Sequence, residues 1–168
     1  LEIQMSKDKL YIFDTTLRDG AQTEGVDFSV SDKNKIAKIL AKIGVDYVEG
    51  GWPGANPIDT EFFDKSPDLG STKFTAFGMT KRNGMSADND PSLSPLVNAN
   101  CKTVCVVGKT WDFQVKTALG IKNEDNLNNI KETVKHFVKN KKEFLFDAEH
   151  FFDGYKNNPK YALTCLKQ

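Results

Sequence analysis

The sequence predicts an α/β protein built on a parallel sheet covered by helices. Strand and helix patterns alternate five times along its 168 residues. The strand segments are near-continuous apolar runs, as in sheets buried on both faces. The polar residues gather just after those runs, where α/β proteins place their ligands.

The elements follow in order. Leu10-Tyr11-Ile12-Phe13 is an apolar run ending at Asp14, long enough for a strand and too short for a helix. Ser31 reads as a helix N-cap, and Ile36, Ile39, Leu40 and Ile43 recur at helical spacing until Gly44. Val45 to Glu49 forms a second strand, closed by Gly50-Gly51-Trp52-Pro53-Gly54, and Asp59 to Lys65 a short helix. Thr72 to Met79 is a third strand, rich in Phe and Thr. A polar loop and a weak helix at Leu93 to Ala99 lead to Thr103-Val104-Cys105-Val106-Val107, a β-branched strand ended by Gly108. Asn123 to Asn140 is amphipathic, with Leu127, Ile130, Val134, Phe137 and Val138 on one side. Phe144 opens a fifth strand that runs to Glu149, and Pro159 sits at the first turn of a last helix.

Two architectures satisfy this pattern. A flavodoxin-like open sheet would be complete with five strands. A (β/α)₈ barrel would hold about five of its eight units, since such barrels need about 250 residues. Pattern alone favours the open sheet.

Composition excludes several function classes. Hydrophobic residues make up 39% and charged residues 27%, as in globular proteins. Twenty-three basic residues balance 23 acidic ones, against the basic excess of a nucleic-acid binder. No apolar run reaches membrane-spanning length, so no membrane partner is expected. Three cysteines at unremarkable spacing fit a reducing, cytoplasmic setting. Cys101 and Cys105 would lie about 13 Å apart in a strand, beyond disulfide reach. Of the 23 basic residues only Arg18 and Arg82 are arginine, which draws attention to what a planar guanidinium does at each.

Arg18-Asp19 follows the first strand. A carboxylate there can hold a hard divalent cation, and a guanidinium can stabilise an oxyanion. The alternative is a surface ion pair worth roughly 0–1 kcal/mol. Asp147 and Glu149 alternate along the fifth strand, so they point the same way, about 6.5–7 Å apart. Their alternatives are a helix cap or a lysine partner. Strict alternation turns His150 to the other face, and His136 falls in the long helix as a structural residue. Trp52 and Trp111 are expected in core packing.

Taken together, these segments resemble the DRE-TIM metallolyases, the family of isopropylmalate, homocitrate and citramalate synthases. Asp14-Thr15-Thr16-Leu17-Arg18-Asp19-Gly20-Ala21-Gln22 is similar to the family signature. Glu49 to Pro57, Gly108 to Asp112 and Phe146 to Asp153 resemble most the citramalate synthase branch. The resemblance runs from about Lys9 to the last residue and reverses the preference for an open sheet, because the family fold is the barrel. It implies an acyltransferase that condenses acetyl-CoA with a 2-oxo acid, pyruvate in the citramalate branch, with isopropylmalate or homocitrate synthesis as the alternative. It implies a divalent metal (Mg, Mn or Zn) held in part by Asp19. Arg18 would stabilise oxyanion charge and Glu149 would be the active-site glutamate. Gln22 would line the substrate site, and Asp147 joins it because it faces Glu149.

The family's metal site also uses a His-x-His pair that this sequence lacks. Residues 9–168 are therefore expected to be the N-terminal part of a barrel catalytic domain. Residues 1–8 are expected to be a tail or of cloning origin. Such a part is expected to be inactive alone and to self-associate through its open strand edges, and the intact enzyme to be a homo-oligomer.

Overall fold

A computed structural model describes residues 9–168, so the expected tail over 1–8 lies outside the described residues. Five strands form one sheet: β1 (Phe13–Asp14), β2 (Tyr47–Gly51), β3 (Lys73–Met79), β4 (Thr103–Lys109) and β5 (Glu143–Glu149). All neighbouring pairs are parallel, and the spatial order is β1-β2-β3-β4-β5. A flavodoxin-like sheet would reverse direction and read 2-1-3-4-5. The unbroken order is that of a barrel wall, so the open-sheet alternative is wrong.

The wall is also curled. Tyr47 on β2 donates its hydroxyl to Glu143 on β5 at 3.0 Å, although two strands lie between them. Lys73 and Thr103, on those intervening strands, reach the same carboxylate at 2.7 and 3.0 Å. Only a concave inner face brings four strands onto one acid. The molecule is a partial (β/α) barrel with a polar layer at its N-terminal rim.

The outer face carries the core. Val48, Phe74, Ala76, Val104 and Val106 pack beneath α1 (Val30–Ile43), α2 (Pro57–Asp64) and α5 (Asn123–Lys139). Phe74 stacks on Phe63 at 4.4 Å and meets Phe62 edge-on at 5.0 Å. Such aromatic pairs add about 0.5–1.5 kcal/mol beyond the area they bury. The remaining helices are α3 (Ser94–Asn98), α4 (Asp112–Gln114), α6 (Phe151–Asn157) and α7 (Pro159–Leu166), and a π-helical turn, Val115–Leu119, follows α4. A second cluster of Val115, Ile130, Tyr161 and Cys165 joins α5 and α7. Among the described residues no helix is long and apolar enough to cross a membrane.

The sequence reading needs three local corrections. The first strand is shorter than Leu10–Phe13, since β1 is an edge strand and Leu10, Tyr11 and Ile12 are exposed. The α1 N-cap is Ser29, not Ser31. Ser29 takes the Asp32 N–H while Asp32 takes the Ser29 N–H, a reciprocal box that Ser31, already inside the helix, cannot make. The helix α6 has no counterpart in the sequence pattern, because Phe151-Phe152-Asp153-Gly154 is too short and glycine-containing to show a helical period. Gly44 does end α1, in the left-handed conformation with φ 91°.

Candidate active site

The segment after β1 is a tight turn. Thr15 carbonyl accepts from the N–H groups of Arg18, Asp19 and Gly20 at 2.9–3.1 Å. Asp14 caps it by accepting from Thr16 N–H and hydroxyl. Leu17 is fully buried and anchors the turn in the core. That anchoring leaves Arg18 and Asp19 at the C-terminal mouth of the partial barrel.

Arg18 is held from three sides. Its Nε donates to Glu49 Oε2 at 2.8 Å, and its Nη1 donates to Asp19 Oδ1 at 3.1 Å. The guanidinium lies over the Phe77 ring, 4.0 Å from the centroid. Planar stacking with two directed bonds needs arginine, which accounts for one of the two arginines in a lysine-rich chain. Glu49 is 1% exposed. Burial pushes its carboxyl above the ordinary range, and Arg18 pulls the other way.

Arg18, Asp19, Gln22, Lys109, Asp147 and Glu149 line one cleft of about 980 Å³. All five site residues expected from the sequence are thus brought together. Asp147 and Glu149 do face the same side. Burial raises the Asp147 carboxyl, Arg18 lowers it, and the carboxylates of Glu149 and Asp19 raise it further. Glu149 is ion-paired with Lys109 at the end of β4, one of the alternatives the spacing left open. The site therefore alternates charge: two cations, Arg18 and Lys109, interleave with carboxylates on β2, β5 and the turn after β1.

Two functional features escaped sequence reasoning. Glu49 is the direct partner of Arg18, 31 positions away. Its one signal is its place at the end of the second strand, directly before Gly50-Gly51. Lys109 has the same kind of signal, a place at the end of the fourth strand, but its residue type does not set it apart in a lysine-rich chain. His136 lies in α5 as expected, its ring largely buried and bonded to Asp88 at 3.0 Å. His150 departs from the expectation: it lies beyond β5 with φ 54°, so strand alternation does not place it, and its Nε2 is 3.9 Å from Glu149 Oε1. Trp52 is half-buried, packed edge-on against Phe77, and forms a cleft wall rather than pure core. All three cysteines are free, and burial pushes the Cys105 thiol up to about 12, which disfavours its thiolate.

The family model described as HMGL-like matches residues 9–161. The chain belongs to this family. An (R)-citramalate synthase of Aquifex aeolicus is 49% identical over 162 residues, covering 95% of the chain and 31% of that relative. An (R)-citramalate synthase of Geobacter sulfurreducens is 48% identical over 165 residues, covering 97% and 31%. A 2-isopropylmalate synthase 1 of Caldanaerobacter subterraneus is 35% identical over 146 residues, covering 86% and 36%. The chain spans about a third of the length of these curated relatives. Among solved structures, an HMG-CoA lyase of Bacillus subtilis superposes with a TM-score of 0.62 at 19% identity, over 82% of this chain and 45% of that one. That likeness confirms the barrel geometry of the five strands.

Proposed function

We propose that the protein carrying this chain is a cytoplasmic acyltransferase that condenses acetyl-CoA with pyruvate to give (R)-citramalate and CoA. The observation that carries this reading is the identity of 48–49% to two (R)-citramalate synthases across nearly the whole chain, against 35% to the isopropylmalate synthase. Residues 9–168 are read as the N-terminal part of the barrel catalytic domain.

In the reaction a proton leaves the methyl carbon of acetyl-CoA. That carbon then forms a bond to the ketone carbon of pyruvate, and the ketone oxygen takes up the electron pair and later a proton. Water cleaves the thioester, releasing CoA as the thiol. Arg18 is the residue for the developing oxyanion: its Nε donates to Glu49 and its Nη1 to Asp19, and the guanidinium keeps further N–H donors on a residue that lines the cleft. Glu149 is assigned to the proton transfers, with Lys109 holding it in place between them. Gln22 and Asp147, both in the lining of the cleft, orient the oxo acid.

A divalent cation fits only in part. Among the described residues no group of three or more His, Cys, Asp or Glu is placed to hold one. Asp19 has the right donor chemistry, a hard carboxylate oxygen at the cleft mouth, and supplies one position of a coordination sphere. When bound, such an ion acts as Lewis acid and template for the oxo acid.

The test is thiol release by the full-length protein given acetyl-CoA, a divalent metal and a panel of 2-oxo acids. Pyruvate is expected to give the highest kcat/KM. A preference for 2-oxoisovalerate would move the enzyme to isopropylmalate synthesis, and no CoA release with any oxo acid would overturn the reading.

A further inference from the structure

In the wall of the same cleft lies a buried ion pair that the chemistry above does not use. Lys33 on α1 and Asp59 on α2 are both buried and joined by a hydrogen-bonded ion pair. Lys33 Nζ also donates to the carbonyls of Leu17 and Gly50, each at 2.9 Å. An ammonium has three protons, so its donors are all used. Leu17 is the residue before Arg18, and Gly50 is the residue after Glu49. One ammonium thus ties together the two backbone segments that present the Arg18–Glu49 pair.

Asp59 extends the tie to the next loop. It accepts from the Trp52 N–H at 2.9 Å and from Asn56 Nδ2 at 3.0 Å. Gly51 passes so close that a Cβ there would lie 2.5 Å from the Asp59 carboxylate, on a backbone with φ 143°. The chain is therefore shaped around this carboxylate. Stability alone explains the pair poorly, since well-packed apolar residues often match or exceed a buried ion pair. What apolar residues cannot do is grip two carbonyls from different strand ends at fixed distance.

We propose that Lys33 and Asp59 are a positioning pair, which clamps the Leu17 and Gly50 carbonyls together and so holds the Arg18 guanidinium against Glu49 and facing the cleft. The proposal rests on the reading of Arg18 as the oxyanion-stabilising residue.

The experiment compares wild type, Lys33→Met, the double variant Lys33→Met/Asp59→Asn and a control, Lys38→Met on the exposed side of α1, in the full-length protein. The double variant removes the clamp without leaving an unpaired buried charge, so it covers the case in which Lys33→Met does not fold. Two readouts are taken below the melting temperature of every variant. The first is kcat and KM: a misplaced oxyanion donor lowers kcat by about tenfold or more while the acetyl-CoA KM stays within about twofold. The second is arginine modification by phenylglyoxal, followed at Arg18 by peptide mass spectrometry, which needs no turnover. Arg18 modification is expected to rise at least about fivefold in the clamp variants and not in Lys38→Met, as the side chain leaves its bonded geometry. Variants that melt earlier but keep wild-type kcat and Arg18 protection would overturn the proposal and make the pair purely structural. A wild type that never turns over, with Arg18 protection still lost in the clamp variants, would instead sink the acyl-transfer reading and leave the positioning role intact.

Discussion

Arg18 concentrates the chemistry of this site in one side chain. Its Nε is bound by a buried acid, one face is stacked on Phe77, and Nη1 meets Asp19. A lysine could supply the charge but not the two directed bonds or the stacking. Arg18→Ala is expected to lower kcat/KM by about 10²–10³-fold, the usual loss on removing an oxyanion donor. Asp19→Ala is expected to raise the metal concentration for half-maximal activity by at least about tenfold. His136→Ala, in α5 and outside the cleft lining, should change neither quantity, and a metal titration of initial rates measures all three variants. Arg18, Asp19, Asp147 and Glu149 are legible as cleft residues because strand ends and side-chain alternation are local properties, whereas Gln22 is reached only through the motif resemblance. The sequence could not show Glu49 as the partner of Arg18. That pairing exists only because β1 and β2 are neighbours in the sheet, which no local period encodes.

The elements are stabilised from the outer face and by their loops. Phe62 is fully buried and touches both Phe63 and Phe74. Phe62→Ala should cost roughly 3–5 kcal/mol in chemical denaturation, the range for a buried aromatic that leaves a cavity. The loop after β3 depends instead on Asp90. Burial pushes its carboxyl up, but the Arg82 N–H at 2.6 Å and the Ser92 hydroxyl and N–H at 2.7 and 2.9 Å outweigh that, so it lies below its ordinary value of 3.8. A depressed carboxyl adds stability that is full above its unfolded value and is lost as pH falls through the folded one. The stability gap between wild type and Asp90→Ala should thus be constant near neutrality and narrow as pH drops below 3.8, read by urea unfolding at a series of pH values. A gap that widens in acid would contradict the assignment. The helices α1 and α5 were legible from their period, and β4 from its β-branched run. The misplaced N-cap had a local signal too, the Ser29-x-x-Asp32 box, which competed with a second serine two positions on.

Across the whole molecule the decisive fact is strand order. Alternating strands and helices are compatible with both an open sheet and a barrel, and five units alone favour the open sheet. What separates them is whether the strands run on in one direction, and that is set by how each helix crosses over the sheet. The motif resemblance pointed to the barrel where the hydrophobic pattern pointed away from it. The five-stranded wall has open edges at β1 and β5. Exposed Leu10, Tyr11 and Ile12 flank one edge, and Phe152, Leu163 and Leu166 lie exposed on the helices after the other. Edges and apolar patches of this kind template association. We predict that residues 1–168 produced alone self-associate and show no turnover. Sedimentation velocity at high dilution checks the first part, where a folded monomer would contradict it.

Carbon–carbon bond formation at this cleft is the central step of the proposed reaction. The most direct test supplies the full-length protein with acetyl-CoA labelled with ¹³C in the acetyl methyl group, together with pyruvate and a divalent metal, and follows the label by NMR. The methyl signal is expected to be replaced by a methylene signal of citramalate as free CoA appears, and Arg18→Ala is expected to stop both. Label recovered only as acetate would show thioester hydrolysis without condensation and would contradict the proposed reaction.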